Sequence, residues 1–132
     1  MKVVINTCFG GFGLSPVAVK RYGEIKGIRL YMYEENDRRL RLISFDEKPP
    51  FIPFYFSTPD LTEWPSNDEY YFCEMDIARD DPILIQTVEE LKEKANGACA
   101  KLSVVEIPDG IEWDISEYDG IETIEETHRS WR

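Results

Sequence analysis

Few residues that bind transition metals or form crosslinks occur in this sequence. Its 132 residues include one histidine and three cysteines, Cys8, Cys73 and Cys99, which are far apart and form no CxxC pair. A zinc site is hard to assemble from so few ligands, and an odd number of cysteines predicts free thiols in a reducing compartment. We therefore predict no bound metal and no cofactor.

Long apolar runs are also missing. No run approaches the roughly 18 residues that a membrane span needs, and the strand-like start at Val3 gives way at once to the polar Asn6 and Thr7. This start differs from a signal peptide, so we expect a cytoplasmic protein that does not contact a membrane. The length predicts a single domain, residues 1–132, with one core.

Positive charge is scarce, above all near the end of the chain. The net charge is −11, and residues 102–127 contain nine acidic residues and no lysine or arginine. Such a field repels nucleic acid phosphates and attracts a basic partner, so we do not expect direct binding of DNA or RNA. The candidate residues for binding a basic protein are Glu112, Asp114, Glu117 and Asp119, the first three on one outward strand face. A merely solubilising surface is one alternative, and ligation of a hard cation such as Mg²⁺ or Ca²⁺ by the first three, which lack the spacing of a calcium loop, is another.

A glycine-rich turn lies between a short apolar strand and the start of a helix. Its glycines can adopt positive φ, and successive amides ahead of a helix form a cradle for a small anion. The turn matches neither a Walker A motif nor a dinucleotide-binding motif, and a purely structural turn is the alternative. The ligand-binding candidates here are Gly10, Gly11, Phe12, Gly13 and Ser15.

Periodicity predicts two helices. Ser15 and Pro16 have the residue types of an N-cap and a first helical position, and apolar residues at helical spacing follow as far as Gly27. Asp81 and Pro82 repeat this pattern ahead of a clear apolar stripe that ends before residues 96–97. In this second helix, the spacing of Glu90 and Lys94 predicts an ion pair.

The remaining apolar runs predict strands. We expect a hairpin from residues 28–33 and 40–45, an edge strand or extended loop at 51–56, and a strand at 70–73. Runs 102–107 and 111–115 predict a second hairpin, followed by a turn and a polar tail. The fold class is α+β, with a mostly antiparallel or mixed sheet and two helices packed on it. An aromatic edge at 51–56 would let a second copy pair, so a homo-oligomer is expected.

Catalytic patterns are missing as well. The sequence has no Ser-His-Asp order, no H-E-x-x-H and no nucleophile elbow, so no catalytic residue is assigned and a non-enzymatic function is favoured. A small nucleotide-processing hydrolase or transferase that uses Cys8 or His128 is the alternative. Further candidates for binding an anionic ligand, by charge or by stacking, are Arg79, His128, Arg129 and Trp131.

Several motifs resemble a family of small hypothetical proteins of tailed phages and prophages. The resemblance covers residues 1–27 and 77–132 but not 28–76, and lies in residues 3–6, Cys8, 10–15, 79–82, 94–97, 101–102, 105–109, 111–113, 117–120, 128–129 and Trp131. It implies a viral setting, in the cytoplasm of a bacterial host, and little chemistry. Small acidic phage accessory proteins frequently interfere with host defence, so the resemblance leads us to expect a phage accessory protein that acts by binding, in counter-defence. It would either sequester a small anionic, nucleotide-like ligand or block a basic host protein through its acidic face.

Overall fold

A computed structural model describes residues 1–47 and 52–126 of the chain. Within these residues, two helices and eight strands follow one another with two short 3-10 helices, Glu74–Asp76 and Lys92–Ala95. In chain order they are β1 (Lys2–Asn6), α1 (Pro16–Lys26), β2 (Tyr31–Asn36), β3 (Arg39–Ile43), β4 (Phe54–Phe56), β5 (Tyr71–Phe72), α2 (Pro82–Leu91), β6 (Leu102–Glu106), β7 (Trp113–Tyr118) and β8 (Ile121–Glu126).

The strands form three antiparallel sheets. One pairs β1 with β6, one has the order β3-β2-β4-β5, and the third is the hairpin of β7 and β8. Two helices with antiparallel sheets confirm the predicted α+β fold. Neither helix in the described ranges has the length and apolar character that crossing a bilayer requires.

Both helices begin where their caps predict. The hydroxyl of Ser15 accepts the N–H of Ala18, and the carboxylate of Asp81 accepts the N–H of Ile83. Gly27 ends α1 in the left-handed conformation, with φ of 86°. These contacts satisfy backbone groups that a helix end leaves without a partner, and so they fix where each helix starts or stops.

The second helix ends earlier than its apolar stripe predicts. α2 stops at Leu91, where Lys92 has a φ of 53°, and a 3-10 helix carries the chain to Ala95. The predicted ion pair of Glu90 with Lys94 is therefore wrong, because the α-helical spacing ends between the two residues. Glu90 instead pairs with Arg21 of α1, at 3.0 Å.

Two groups of buried side chains form the interior. The larger one lies between the two helices and the sheets and includes Val4, Tyr22, Met32, Leu84 and Val88. The smaller one is largely aromatic and lies between the second sheet and the loop that follows β4. Its buried members are Tyr33, Leu40 and Phe56, with Tyr31, Phe54, Leu61 and Trp64 packed against them.

The strand of the proline-rich run is not at an edge. β4 pairs with β2 on one side and with β5 on the other, and Tyr55 and Phe56 are buried. An inner position is allowed because the prolines precede the paired residues, so each of these can donate its N–H. The prediction of an edge strand is wrong. Because both edges of β4 are already paired, a second copy cannot pair there as expected. Homo-oligomerisation stays a prediction.

The pairing of the last three strands also differs from the prediction. Strand β6 pairs with β1, in the register Lys2↔Glu106 to Asn6↔Leu102, and β7 pairs with β8. The predicted hairpin of 102–107 with 111–115 is therefore wrong, and β8 lies where a polar tail was expected. The turn of Asp119 and Gly120 has positive φ at both residues, 54° and 91°, which is the two-residue geometry that matches strand twist in a tight hairpin.

Candidate functional site

The glycine turn is held against two other turns of the chain. Gly10 and Gly11 have φ of 110° and 98°, values that residues with a Cβ rarely adopt. The N–H of Gly10 donates to the carbonyl of Asp119 at 3.4 Å, and the N–H of Gly97 donates to the carbonyl of Gly13 at 2.9 Å. The turn is thus in contact with the β7–β8 turn and with the segment before β6.

These contacts leave no room for side chains on the facing residues. A Cβ on Gly120 would lie 2.4 Å from the nitrogen of Gly11 and 2.6 Å from that of Gly10. A Cβ on Gly97 would lie 2.8 Å from the carbonyl carbon of Gly13. The close approach of these backbones gives the turn a structural role, and its role in binding an anion stays a prediction.

The hydroxyl of Ser15 is engaged on both sides. It accepts the N–H of Ala18 at 3.2 Å and donates to the carbonyl of Lys94. The backbone N–H of Ser15 donates to the carbonyl of Ala95 at 2.9 Å. Ser15 therefore joins the start of α1 to the 3-10 helix after α2.

Arg79 forms a bidentate ion pair with Glu122 of β8. Both terminal nitrogens of Arg79 donate to the carboxylate, Nη2 to Oε2 at 2.9 Å, and the two side chains are 16% and 8% exposed. The guanidinium carbon lies 3.7 Å from the centroid of the Phe12 ring. The positive charge that was predicted to attract an anionic ligand is thus paired with a carboxylate and covered by a residue of the glycine turn.

This ion pair closes the outer edge of β1. The N–H of Val4 donates to the carbonyl of Arg79 at 2.8 Å, and the guanidinium donates to the carbonyl of Val4 at 3.4 Å. Two residues further on, the N–H of Asn6 donates to the carboxylate of Glu122 at 2.8 Å. Backbone groups on a strand edge need partners when they are buried, and here an arginine and a glutamate supply them in place of a neighbouring strand.

Asn6 connects the three turns around this pair. Its side chain is fully buried, and its Nδ2 donates to the carbonyls of Cys8 and Gly120, each at 2.7 Å. Its Oδ1 accepts the N–H of Lys101 at 2.8 Å. The roles of Asn6 and Glu122 were not predicted from the sequence. The signals available were a polar residue at the end of an apolar strand and an Asp-Gly pair typical of a tight hairpin.

Three of the predicted ligand-binding residues, His128, Arg129 and Trp131, lie outside the described residues. Of the other ligand-binding candidates, Phe12 lies against the guanidinium of Arg79, whereas Gly13 and Ser15 contact residues 94–97. Cys8, the thiol considered as a nucleophile, is partly buried.

The predicted acidic residues do not share one face. Asp114 lies opposite Glu125 across the hairpin, whereas Glu117 lies opposite the buried Glu122. Side chains alternate along a strand, so Asp114 and Glu117, three positions apart, point to opposite faces. Glu112 is exposed just before β7, and the prediction of a common face is wrong for Glu117.

We call β7, β8 and the turn between them, residues 113–126, the acidic hairpin. Asp114 and Glu125 are both exposed on it, and like charges directly opposite each other destabilise a strand pair. Among the ion pairs of the described residues, none includes either carboxylate. In the other facing acidic pair, Glu117 and Glu122, Arg79 neutralises the charge of Glu122 and so reduces the repulsion.

Other features of the described residues are less specific. An open groove of about 820 Å³ lies between α1 and the β2–β3 hairpin. Two basic residues, Lys20 and Arg29, and two acidic residues, Glu24 and Asp46, line it, so its charges indicate no class of ligand. Within residues 1–47 and 52–126, no three histidine, cysteine or carboxylate groups lie close enough to hold a metal ion.

Comparison with protein-family models, with curated proteins and with solved structures finds no match to this chain.

Proposed function

We propose that this protein is a phage accessory protein that acts in counter-defence by binding a host protein. Its acidic hairpin would occupy a basic, nucleic-acid-binding surface of that host protein. The proposal rests on the exposed pair of Asp114 and Glu125, which face each other across the hairpin and form no ion pair with any residue of 1–47 and 52–126.

A like-charged pair costs stability in the free protein, and a basic surface would remove that cost on binding. Residues 102–127 contribute nine acidic residues and no lysine or arginine, so the charged side chains of the hairpin itself are all negative. Complementary charge of this kind speeds association and selects basic partners.

The same geometry gives less support to sequestration of a small anionic ligand. The guanidinium of Arg79 already binds Glu122, and the glycine turn packs against Gly97 and Gly120. An anion at the turn would have to compete with the carboxylate of Glu122 for Arg79.

The test is affinity capture from a bacterial lysate, followed by competition with duplex DNA for each captured protein. We expect wild-type protein to capture basic nucleic-acid-binding proteins that elute as salt screens the charges, and to displace DNA from them. The variant Glu112→Gln, Asp114→Asn, Glu117→Gln, Asp119→Asn should lose this capture.

A matched control changes the net charge by the same amount elsewhere. The variant Asp60→Asn, Glu63→Gln, Asp68→Asn, Glu69→Gln neutralises four exposed carboxylates in the loop between β4 and β5. It should capture the same proteins as wild type. If both variants lose capture equally, net charge alone explains the binding. If the variant in the hairpin region still captures these proteins, the proposal is contradicted.

A further inference from the structure

We infer that the acidic hairpin recognises arginine in preference to lysine, through two exposed aromatic rings at its tip. This inference rests on the proposed function and specifies the chemistry of the partner. The tip is where the glycine turn meets the turn of β7 and β8. Phe9 is 60% exposed there, and Tyr118 is 79% exposed.

The two rings are carried by backbone segments that are bonded to each other. Phe9 precedes Gly10, whose N–H donates to the carbonyl of Asp119, and Asp119 directly follows Tyr118. The side chain of Asn6 binds the carbonyl of Gly120 and holds the same turn from the buried side. A surface that is ordered before binding loses less conformational entropy when the partner arrives.

The folded protein makes little use of these rings. Neither Phe9 nor Tyr118 stacks on another aromatic ring in the part of the chain that the structure describes. By contrast, the rings of Phe54 and Trp64 pack edge to face, with their centroids 4.9 Å apart. A ring that remains largely in water contributes little burial to stability, and its face is available to a partner.

Exposed carboxylates share the face of the more exposed ring. Side chains alternate along β7, so Tyr118 lies on the same face as Asp114 and Glu125, and the exposed Asp119 follows it in the turn. A guanidinium group is planar and weakly hydrated, so it can stack on an aromatic face while its N–H groups bind a carboxylate in pairs. The ammonium of lysine is a strongly hydrated point charge and gains less from such a surface. Exposed aromatic rings on an acidic hairpin therefore fit an arginine-rich segment of a basic protein.

The experiment compares labelled octa-arginine and octa-lysine peptides, which carry equal charge, by fluorescence anisotropy with the full chain. We expect octa-arginine to bind about fivefold more tightly, the effect of one or two cation–π contacts. Tyr118→Leu and Phe9→Leu should each reduce this preference. The control Tyr70→Leu, at a tyrosine that is 44% exposed in the loop before β5, should preserve it.

The outcomes separate this inference from the proposal on which it rests. Equal affinity for the two peptides, or a preference that survives both Tyr118→Leu and Phe9→Leu, would overturn the inference and leave the acidic hairpin as a binder of basic surfaces. Failure to bind either peptide at low salt would contradict both. Circular dichroism of each variant distinguishes a lost contact from a lost fold.

Discussion

Arg79 and Glu122 lie 43 positions apart in the chain and form a bidentate ion pair at the outer edge of β1. The pair holds three segments together, because Arg79 precedes α2, Glu122 belongs to β8 and both bind backbone groups of β1. It also places Phe12 of the glycine turn under the guanidinium. Buried polar contacts thus attach the acidic hairpin to β1 and to Arg79.

Removing one partner of this pair should strongly destabilise the protein. Arg79→Met would leave the carboxylate of Glu122 buried without its counter-charge, and we expect the free energy of unfolding to fall by about 3 kcal/mol. Urea denaturation followed by tryptophan fluorescence measures the change.

The double variant shows whether the two residues act together. In Arg79→Met, Glu122→Gln the uncompensated charge is gone, so we expect the total loss to be smaller than the sum of the single losses by about 1–2 kcal/mol. Strictly additive losses would show that the ion pair is not a coupled unit.

Gly120→Ala should destabilise the protein more than Gly110→Ala. Both glycines have positive φ, 91° and 82°, but a Cβ on Gly120 would lie 2.4 Å from the nitrogen of Gly11, whereas a Cβ on Gly110 would meet nothing within 4 Å. The backbone strain common to both is about 1 kcal/mol, and we expect Gly120→Ala to cost about 1–3 kcal/mol beyond it. Melting temperatures of the two variants test this, and equal values would show that the turns do not pack as described.

Glu74→Gln should stabilise the protein at about pH 7. Burial raises the pKa of Glu74 above its ordinary value, and the N–H of Leu14, which donates to its carboxylate at 3.1 Å, opposes the shift only in part. The folded state then holds the proton more tightly than the unfolded chain, so this contribution to stability is present at low pH and is lost as pH rises through the raised pKa.

Thermal melts at a series of pH values, from neutral to acidic, check the prediction for Glu74. The advantage of Glu74→Gln should shrink as pH falls through the raised pKa of the folded protein, and it should be gone below about pH 4, where the carboxyl of the unfolded chain is protonated as well. Glu93→Gln changes the net charge equally at an exposed position and serves as the control. A Glu74→Gln variant that is less stable than this control at neutral pH would contradict the sign of the effect.

Asp114→Asn should raise stability and weaken partner binding at the same time. The change relieves repulsion with Glu125 directly across the hairpin and keeps an oxygen that can accept the N–H of Ile115. We expect a small rise in melting temperature and reduced capture of basic proteins. If Asp114→Asn captures basic proteins as well as wild type does, the repulsion between Asp114 and Glu125 does not contribute to binding.

The local elements were predictable because their determinants are neighbours in the chain. Ser15 with Pro16, and Asp81 with Pro82, place the start of each helix, and the apolar spacing that follows identifies the buried side. The hairpin of β2 and β3 follows from two β-prone runs and a short polar turn, Asp37 and Arg38, with positive φ at both residues. The α+β class follows from the same local signals.

The partners of the strands and the contacts of the polar residues could not be predicted in this way. Whether β6 pairs with the strand after it or with β1 is decided by contacts across about a hundred residues, which no local pattern encodes. The sequence by itself determined the helices, their caps, the turn chemistry and an acidic end of the chain. Only the tertiary structure decided that Arg79 is paired with Glu122 and that Asp114 faces Glu125 directly across the hairpin, because burial and strand register, which set the cost of each charge, arise only when distant segments pack together.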